Sequence, residues 1–349
     1  MDVSLAGRRV GPEHPPYIIA EIGSNHNGDI DLAIHMIDEA VRCGADAVKF
    51  QSWSATSLVS QSEFARNTSF ADTDRHFGSL RAMVESYQLT PPQHVVLAEH
   101  CARAGVHFLS SAFSPEEVDL LVEVGVPAIK IASMDVNHPV LLQRVARSDV
   151  PVILSTGLST LEEIAGAVNV LREHGCQDLV LLHCVSLYPP PDETLRLRNI
   201  AMLKEAFELP VGYSDHSLGV AVPLAAIALG ACVIEKHFTL DKSLQGWDHW
   251  MSAEPDELEA LCLGARQVHT ALGSGVRQVS PAEIEKRKKF RRCIVLRRPT
   301  PAGHVLALED LDFKRPGTGI PPTAYTVVVG RTLRRDLEAD HELSWDDLT

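Results

Sequence analysis

Short apolar, β-rich runs recur along most of the chain: YIIAEIG (17–23), DAVKFQ (46–51), HFLSSAF (107–113), AIKIAS (128–133), PVILSTG (151–157), LVLLHC (179–184), VGYSDH (211–216) and CVIEKHF (232–238). Between them the apolar residues recur at helical spacing, as in IDLAIHMIDEAVRCGA after the first run and LGVAVPLAAIALGA after the seventh. Most strand starts lie roughly 20 to 32 residues apart, the repeat of a strand, a helix and two short loops. Continuous apolar strands followed by crossover helices are parallel strands covered by helices, and eight of them predict a closed (β/α)8 barrel. An open doubly wound sheet is the alternative, but no G-x-G-x-x-G follows the first run. The one long gap begins QSWSATSLVSQSEF and reads as an enlarged polar loop on the active face.

After the last barrel helix, GSGVRQVSPAEIEKRKKFRR is strongly charged and reads as a linker. From Phe290 onward short strands and turns prevail. The expected organisation is a barrel over 1–272, a linker over 273–289 and a small β-rich domain over 290–349.

A chain of 349 residues with 45% hydrophobic content can bury a sizeable core, which excludes disorder for most of it. No stretch approaches the 18 apolar residues of a membrane span and MDVSLAGRRV lacks a signal peptide's apolar run, so a soluble cytoplasmic protein is expected. Seven scattered cysteines without C-x-x-C suggest neither disulfides nor a thiolate zinc site. The net charge of -14 disfavours nucleic acid and anionic membranes, so an anionic substrate must be held by local cations.

Polar residues at the C-terminal ends of barrel strands project into the active-site mouth. Here those ends carry Glu21, Lys49, Gln51, Ser110, Ser111, Lys130, Ser133, Ser155, Thr156, His183, Ser214, Asp215, His216 and His237. His216 and His237 end successive strands and are therefore neighbours; they are either two ligands of a divalent metal or a pair of hydrogen-bonded core histidines. Lys130 with the hydroxyls of Ser133, Ser155 and Ser214 suits a phosphate or carboxylate. Glu21 is a rim carboxylate able to shuttle a proton, and Glu235 shares a strand face with His237, as an orienting partner or one half of a salt bridge.

The segments AEIGSNHNG, ADAVKFQ, IKIAS, ILSTG, LLHCVSLYP, VGYSDHSLG, EKHFTLDK and KRPGTGIPP, in that order, resemble the sialic acid synthase family, the phosphoenolpyruvate-dependent synthases of nonulosonic acids. The final segment resembles their antifreeze-like (SAF) domain. The resemblance implies condensation of phosphoenolpyruvate with an N-acylated mannosamine-type aldehyde, by default N-acetylmannosamine to N-acetylneuraminate, with release of phosphate. Legionaminate- and pseudaminate-type products are near alternatives. It further implies a divalent metal, Mn2+ with Mg2+ or Co2+ as substitutes, on His216 and His237. Lys130, Ser133, Ser155 and Ser214 match phosphoenolpyruvate-binding positions. Glu21, Lys49, Gln51, Ser111, Asp135, Tyr188 and Asp248 match positions around the amino sugar or the reacting centre, with Glu21, Lys49, Lys130 and Asp248 in catalytic roles. Arg315 matches an arginine sent into the partner's active site of a domain-swapped homodimer.

Trp247 and Trp250 flank Asp248 where relatives read G-P-D-H, and Met134 stands where they often have Gly, either reshaping the pocket or packing on its rim. Two other readings are a Schiff-base aldolase using Lys49 or Lys130, and a carbohydrate- or ice-binding module on an inert barrel.

Overall fold

The computed structural model describes residues 2–67, 70–72, 75–77 and 79–349, which form two compact units, Met1–Gly273 and Ser274–Thr349. In the first, a hairpin of β1 (Val3–Leu5) and β2 (Arg8–Val10) precedes the barrel strands β3 (Tyr17–Gly23) and β4 (Ala47–Ser52). A second hairpin, β5 (Phe70–Asp72) and β6 (Arg75–Phe77), separates these from β7 (His107–Ala112), β8 (Ile129–Ile131), β9 (Val152–Ser155), β10 (Leu179–Cys184), β11 (Val211–Asp215) and β12 (Val233–His237). The eight parallel strands follow chain order and close where β12 pairs with β3, His237 opposite Glu21. This is the expected (β/α)8 barrel, and each of the eight apolar runs supplies one strand.

The helices are α1 (Ile30–Cys43), α2 (Gln61–Arg66), α3 (Leu80–Tyr87), α4 (Pro91–Ala104), α5 (Pro115–Val124), α6 (Pro139–Ala146), α7 (Leu161–Glu173), α8 (Asn199–Phe207), α9 (Ala221–Ala228) and α10 (Pro255–Leu272). In α1 the carboxylate of Asp29 accepts from the amides of Asp31 and Leu32, the helix buries Ala33, Met36, Ile37 and Ala40, and Gly44 ends it in the left-handed conformation. Among the described residues no helix is long and apolar enough to cross a membrane, and all seven cysteines are free and buried.

Period-two alternation sorts the strand side chains into two cores. Ile18, Ala20, Val48, Phe50, Ile129 and Ile131 pack against the helices, whereas Tyr17, Ile19, Ala47, Leu109, Ile153 and Leu182 fill the barrel interior. Val3, Leu5 and Val10 of the first hairpin join the inner core beside Tyr17. They plug the N-terminal end of the barrel, a role too short in sequence to be read from periodicity.

The expected polar loop after β4 is corrected. It contains α2 and α3, capped by the side chains of Ser60 and Ser79, and a small core of its own in which Trp53, Phe64, Met83, Val84 and Tyr87 bury with Phe113. These apolar residues are too widely spaced along the chain to read as one face, and the turns of the fold bring them together. Positions 68, 69, 73, 74 and 78 of that gap lie outside the described residues.

Part of the segment expected as a linker is helical. α11 (Pro281–Phe290), opened by a Ser280–Glu283 capping box, occupies much of 273–289, and none of its side chains is buried. Beyond it β13 (Cys293–Leu296) and β14 (Leu311–Lys314) pair antiparallel over an aliphatic core that includes Ile294, Leu306 and Leu343. Two buried carboxylates organise this unit. Asp310 accepts from Arg298 (2.7 Å), His304 (2.8 Å) and the Ala307 amide (3.0 Å). Asp347 repeats the arrangement with Arg335 (2.7 Å), His341 (3.1 Å) and the Ser344 amide (2.9 Å), each donor at the same spacing from its aspartate as in the first set. Burial opposes ionisation of Asp310, but the amide, His304 and Arg298 outweigh it and hold the carboxyl down to about 2.

A folded pKa below the usual carboxylate value contributes stability that is present above about pH 4 and lost as the pH falls towards 2. Asp310→Asn should therefore cost about 1 to 3 kcal/mol at pH 7, and calorimetry of the full chain should show a flatter loss of stability between these pH values than in the wild type. An unchanged melting temperature and acid profile would show that the carboxylate does not hold this unit together.

Candidate active site

Three adjacent strand pairs set the charged floor of the barrel mouth. Register places Glu21 opposite Lys49, Ser111 opposite Lys130 and Ser214 opposite Glu235, all with inward parity. Lys49 Nζ lies 2.7 Å from Glu21 Oε2 and 3.6 Å from Glu235 Oε2, and donates to Ser111 Oγ at 3.2 Å. Gln51 donates to Glu21 Oε1 at 2.9 Å, and Ser214 to Glu235 Oε1 at 2.8 Å. Lys130 donates to the Ile131 carbonyl at 3.0 Å.

Burial divides the electrostatics of these groups. It raises the Glu21 carboxyl to about 6 against the pull of Lys49. It also opposes ionisation of Glu235, but Lys49 and Lys130 together outweigh it and keep that carboxyl ionised. Burial lowers the Lys130 ammonium, partly offset by Glu235. For Lys49 the two carboxylates win over burial and raise it. The floor thus combines one firmly ionised carboxylate, one near its titration point and two lysines.

These residues open into a cavity of about 610 Å³ that also takes in Ser133, Ser155, Tyr188, His216, His237 and Asp248. The His216 and His237 ring centres are 5.4 Å apart, and Tyr188 lies over His216 at 4.1 Å. Ser155 Oγ is buried with no hydrogen-bond partner. Ser133 Oγ accepts from the Gly157 amide at 3.0 Å, an approach that only glycine permits, because a Cβ there would lie 2.8 Å from Ser133 Oγ and 2.5 Å from Ser186 Oγ.

One predicted residue does not line the cavity, and another belongs to the second unit. Asp135 is buried in the turn after β8, outside the lining set, with Oδ2 lacking a hydrogen-bond partner; burial raises its carboxyl to about 7 despite Lys130. Arg315 belongs to the second unit, where its guanidinium covers the Phe290 ring. Four polar strand-end residues also do not line the mouth. Ser110 bonds Ser52 behind β4, His183 bonds the Leu195 carbonyl, Thr156 bonds the Leu182 carbonyl, and Asp215 pairs with Lys236. For Ser110, His183 and Asp215 the cause is outward parity, which counting by two from the inward residues would have exposed. Missed by the sequence reading were Ser24, Cys184 and Ser186, and an apolar flank that includes Trp53 and Phe113.

The outward pair bears on His216. Lys236 Nζ lies 2.7 Å from both Asp215 Oδ2 and the Ser217 carbonyl, and Asp215 Oδ1 accepts from the Ser217 amide and hydroxyl. The residues on either side of His216 are thereby clamped. His216 Nδ1 meets the Val185 carbonyl at 2.9 Å, so it carries the proton and Nε2 keeps a lone pair. His237 Nδ1 is buried without a hydrogen-bond partner, 3.7 Å from Asp248 Oδ2. Burial lowers both imidazoles and keeps them neutral. Two neutral imidazoles, one with an orphaned nitrogen, fit a divalent cation whose other positions are taken by water or substrate. Among the described residues no group of three His, Cys, Asp or Glu side chains is disposed to hold a metal, so the chain's contribution would be this pair.

A closed barrel whose strand ends present paired carboxylates and lysines around a deep polar mouth is the architecture of an enzyme. Residues 36–277 match the NeuB family and residues 291–349 the SAF domain. The chain belongs to the NeuB family, the nonulosonic acid synthases, which are transferase-type enzymes. It is 39% identical to N,N'-diacetyllegionaminic acid synthase of Legionella pneumophila, over 95% of this chain and 94% of that protein. With human N-acetylneuraminate-9-phosphate synthase it shares 35% over 96% and 93%. The crystal structure of N-acetylneuraminic acid synthetase from Leptospira borgpetersenii superposes with a TM-score of 0.74 at 35% identity, covering 82% of this chain and 95% of that one.

Lys236→Met leaves Asp215 as an unpaired buried carboxylate and should cost about 3 to 5 kcal/mol in stability. The double change Lys236→Met with Asp215→Leu should recover much of that loss while leaving the His216 turn less constrained. Denaturant unfolding of both variants checks this; equal stability of the single variant and the wild type would show that the pair is not a clamp.

Proposed function

We propose that the chain joins phosphoenolpyruvate to an N-acylated mannosamine-type aldehyde and releases inorganic phosphate. The observation that carries this reading is the juxtaposition of Lys130 and the hydroxyls of Ser133, Ser155 and Ser214 with the His216–His237 pair in one cavity: an anion subsite beside an electrophile subsite. In an acidic chain, that lysine is the local cation an anionic substrate requires.

A divalent metal, Mn2+ for preference, held by His216 and His237 would polarise the acceptor's aldehyde oxygen. The chain's own groups supply the rest. Lys130 offsets phosphate charge and the hydroxyls orient it. Carbon 3 of phosphoenolpyruvate, using the electron pair of its double bond, bonds to the aldehyde carbon, and the alkoxide so formed takes up the proton that Glu21 collects from the attacking water. Water adds its oxygen to carbon 2 and gives its proton to Glu21, whose raised carboxyl, held by Lys49 and Gln51, is suited to take it. The bond between carbon 2 and the phosphate oxygen then breaks as the hydroxyl on carbon 2 becomes the ketone, and phosphate leaves with that hydroxyl's proton. Tyr188 and Asp248 sit on the acceptor side by the two imidazoles. A Schiff base at Lys49 is disfavoured because that lysine is ion-paired and raised, the opposite of an amine poised as a nucleophile; burial lowers Lys130, and a chelator separates an imine there from the metal-dependent reaction.

Phosphate release from phosphoenolpyruvate should require both the amino sugar and a divalent cation, and His216→Ala or His237→Ala should abolish it. Activity that survives a chelator would remove the metal from the reaction. If Glu21 acts as a base, turnover should fall as the pH drops through about 6, where its carboxyl takes up a proton. Glu21→Gln should lower turnover by roughly 10²- to 10⁴-fold, and an unchanged acid limb in that variant would assign the proton to another group.

The resemblance also carries a homodimer in which Arg315 of one chain completes the site of another. Mixing His237→Ala with Arg315→Ala chains, each inactive alone, should restore part of the activity. Exchanged chains that stay inactive would confine Arg315 to its own chain or to no catalytic role.

A further inference from the structure

The turn after β3 reads Ser24-Asn25-His26-Asn27-Gly28, and its two asparagines reach across to the loop between β12 and α10, which carries Asp248. That loop is closed at its base beside His237: the Ala253 amide donates to the His237 carbonyl at 2.7 Å, and the Thr239 amide to the Ala253 carbonyl at 2.9 Å. Asn25 is fully buried and donates both hydrogens of Nδ2, one to the Phe238 carbonyl and one to Ser252 Oγ, each at 2.9 Å. A carbonyl can only accept, so the nitrogen of the Asn25 amide, and not its oxygen, must face Phe238. Ser252 passes the contact on. Its hydroxyl donates to the Asp248 carbonyl at 2.6 Å, and its backbone amide to the same oxygen at 3.1 Å. Further along the loop, Asn27 donates to the Gln245 carbonyl at 2.8 Å. Gly246 lets the two segments come this close, because a Cβ there would lie 2.8 Å from Asn27 Oδ1 and 2.2 Å from the His249 ring.

These contacts fix a stretch of backbone and, through it, a side chain. The Asp248 carboxylate lines the cavity, with Oδ2 3.7 Å from His237 Nδ1. Strand β12 cannot set that distance, since Asp248 lies on the loop well past its end. Resting on the proposed synthase reaction, we infer that Asn25 and Ser252 are positioning residues: the relay from the Asn25 amide through the Ser252 hydroxyl to the Asp248 carbonyl holds the Asp248 carboxylate beside His237 before the acceptor arrives. Neither Asn25 nor Ser252 lines the cavity, so each acts through the backbone of Asp248. A side chain on a loop held in this way needs no ordering when the acceptor binds, and a displacement of about 1 Å would cost up to about 10²-fold in rate.

Hydrogen exchange and kinetics test the two halves of this inference separately, both on the full-length protein. Ser252→Ala cuts the last link of the relay, and Asn25→Asp replaces its donor by an acceptor of the same shape. Each should speed amide exchange in the peptide covering 239–253 while β3 and β12 stay protected; unchanged exchange in both folded variants would overturn the hold on Asp248. With phosphoenolpyruvate, an N-acylated mannosamine and Mn2+, Ser252→Ala should slow single-turnover phosphate release by roughly 10- to 100-fold. The steady-state KM for phosphoenolpyruvate should stay within about 2-fold of the wild type. On an Asp248→Asn background the same change should cost less than about 2-fold more, because the group it positions is already disabled. A merely structural role would slow both backgrounds by the same factor, and that result, or a raised phosphoenolpyruvate KM with unaltered turnover, would overturn the inference. Asn25→Asp goes through the same cycle and covers the case in which Ser252→Ala fails to fold. A wild type that releases no phosphate with any N-acylated amino hexose, alongside the expected exchange, would instead sink the reaction while upholding the hold on Asp248.

Discussion

Everything at the barrel mouth depends on the balance of charge around Lys49. Two carboxylates, Glu21 and Glu235, are buried within reach of its single ammonium, and neither has enough solvent to be ionised alone. Lys130 tips the balance unequally, because its charge joins that of Lys49 in holding Glu235 ionised, whereas Glu21 is left near its titration point. The difference gives chemically identical side chains different duties: Glu235 anchors the lysines and Ser214, and Glu21 is available to a proton. A floor of this kind is costly to bury unless every charge has its partner, which explains why its members come from strands that are direct neighbours in the barrel.

The same strands carry a second ionic device on their outer side. Asp215 and Lys236 face the helix layer one residue away from the inward His216 and His237. Alternating parity thus lets each strand end carry a binding imidazole on one side and a buried brace on the other. The brace works through the backbone: Lys236 and Asp215 bind the Ser217 carbonyl and amide, and the turn that bears His216 has little freedom left. Barrel folds can place site residues accurately because their strand ends are fixed from outside as well as within.

The second unit solves a different problem. With a small aliphatic core, it relies on two carboxylates, each satisfied by an arginine, a histidine and a backbone amide in a repeated pattern. Sinking charge into so small a body is tolerable because each aspartate holds its own turn through the amide and a flanking segment through the arginine. In the first unit, the segment after β4 gathers a satellite core beside the mouth, so that one side of the cavity is a packed apolar surface.

Sequence alone determined the barrel, because eight apolar runs at regular spacing leave parallel strands with crossover helices as the economical arrangement, and strand ends are where barrel chemistry lies. It also placed Glu21, Lys49, Lys130, Ser214, His216 and His237 in one mouth, as inward residues at equivalent heights. Only the tertiary structure decided the rest. It turned Ser110, His183 and Asp215 outward, since one residue of register moves a side chain to the other face. It gathered Trp53, Met83 and Phe113 into one flank, because contacts between residues so far apart leave no period to read. It set Glu21 and Glu235 apart in acidity, because burial and the distances to two lysines are properties of the folded barrel and of no stretch of chain.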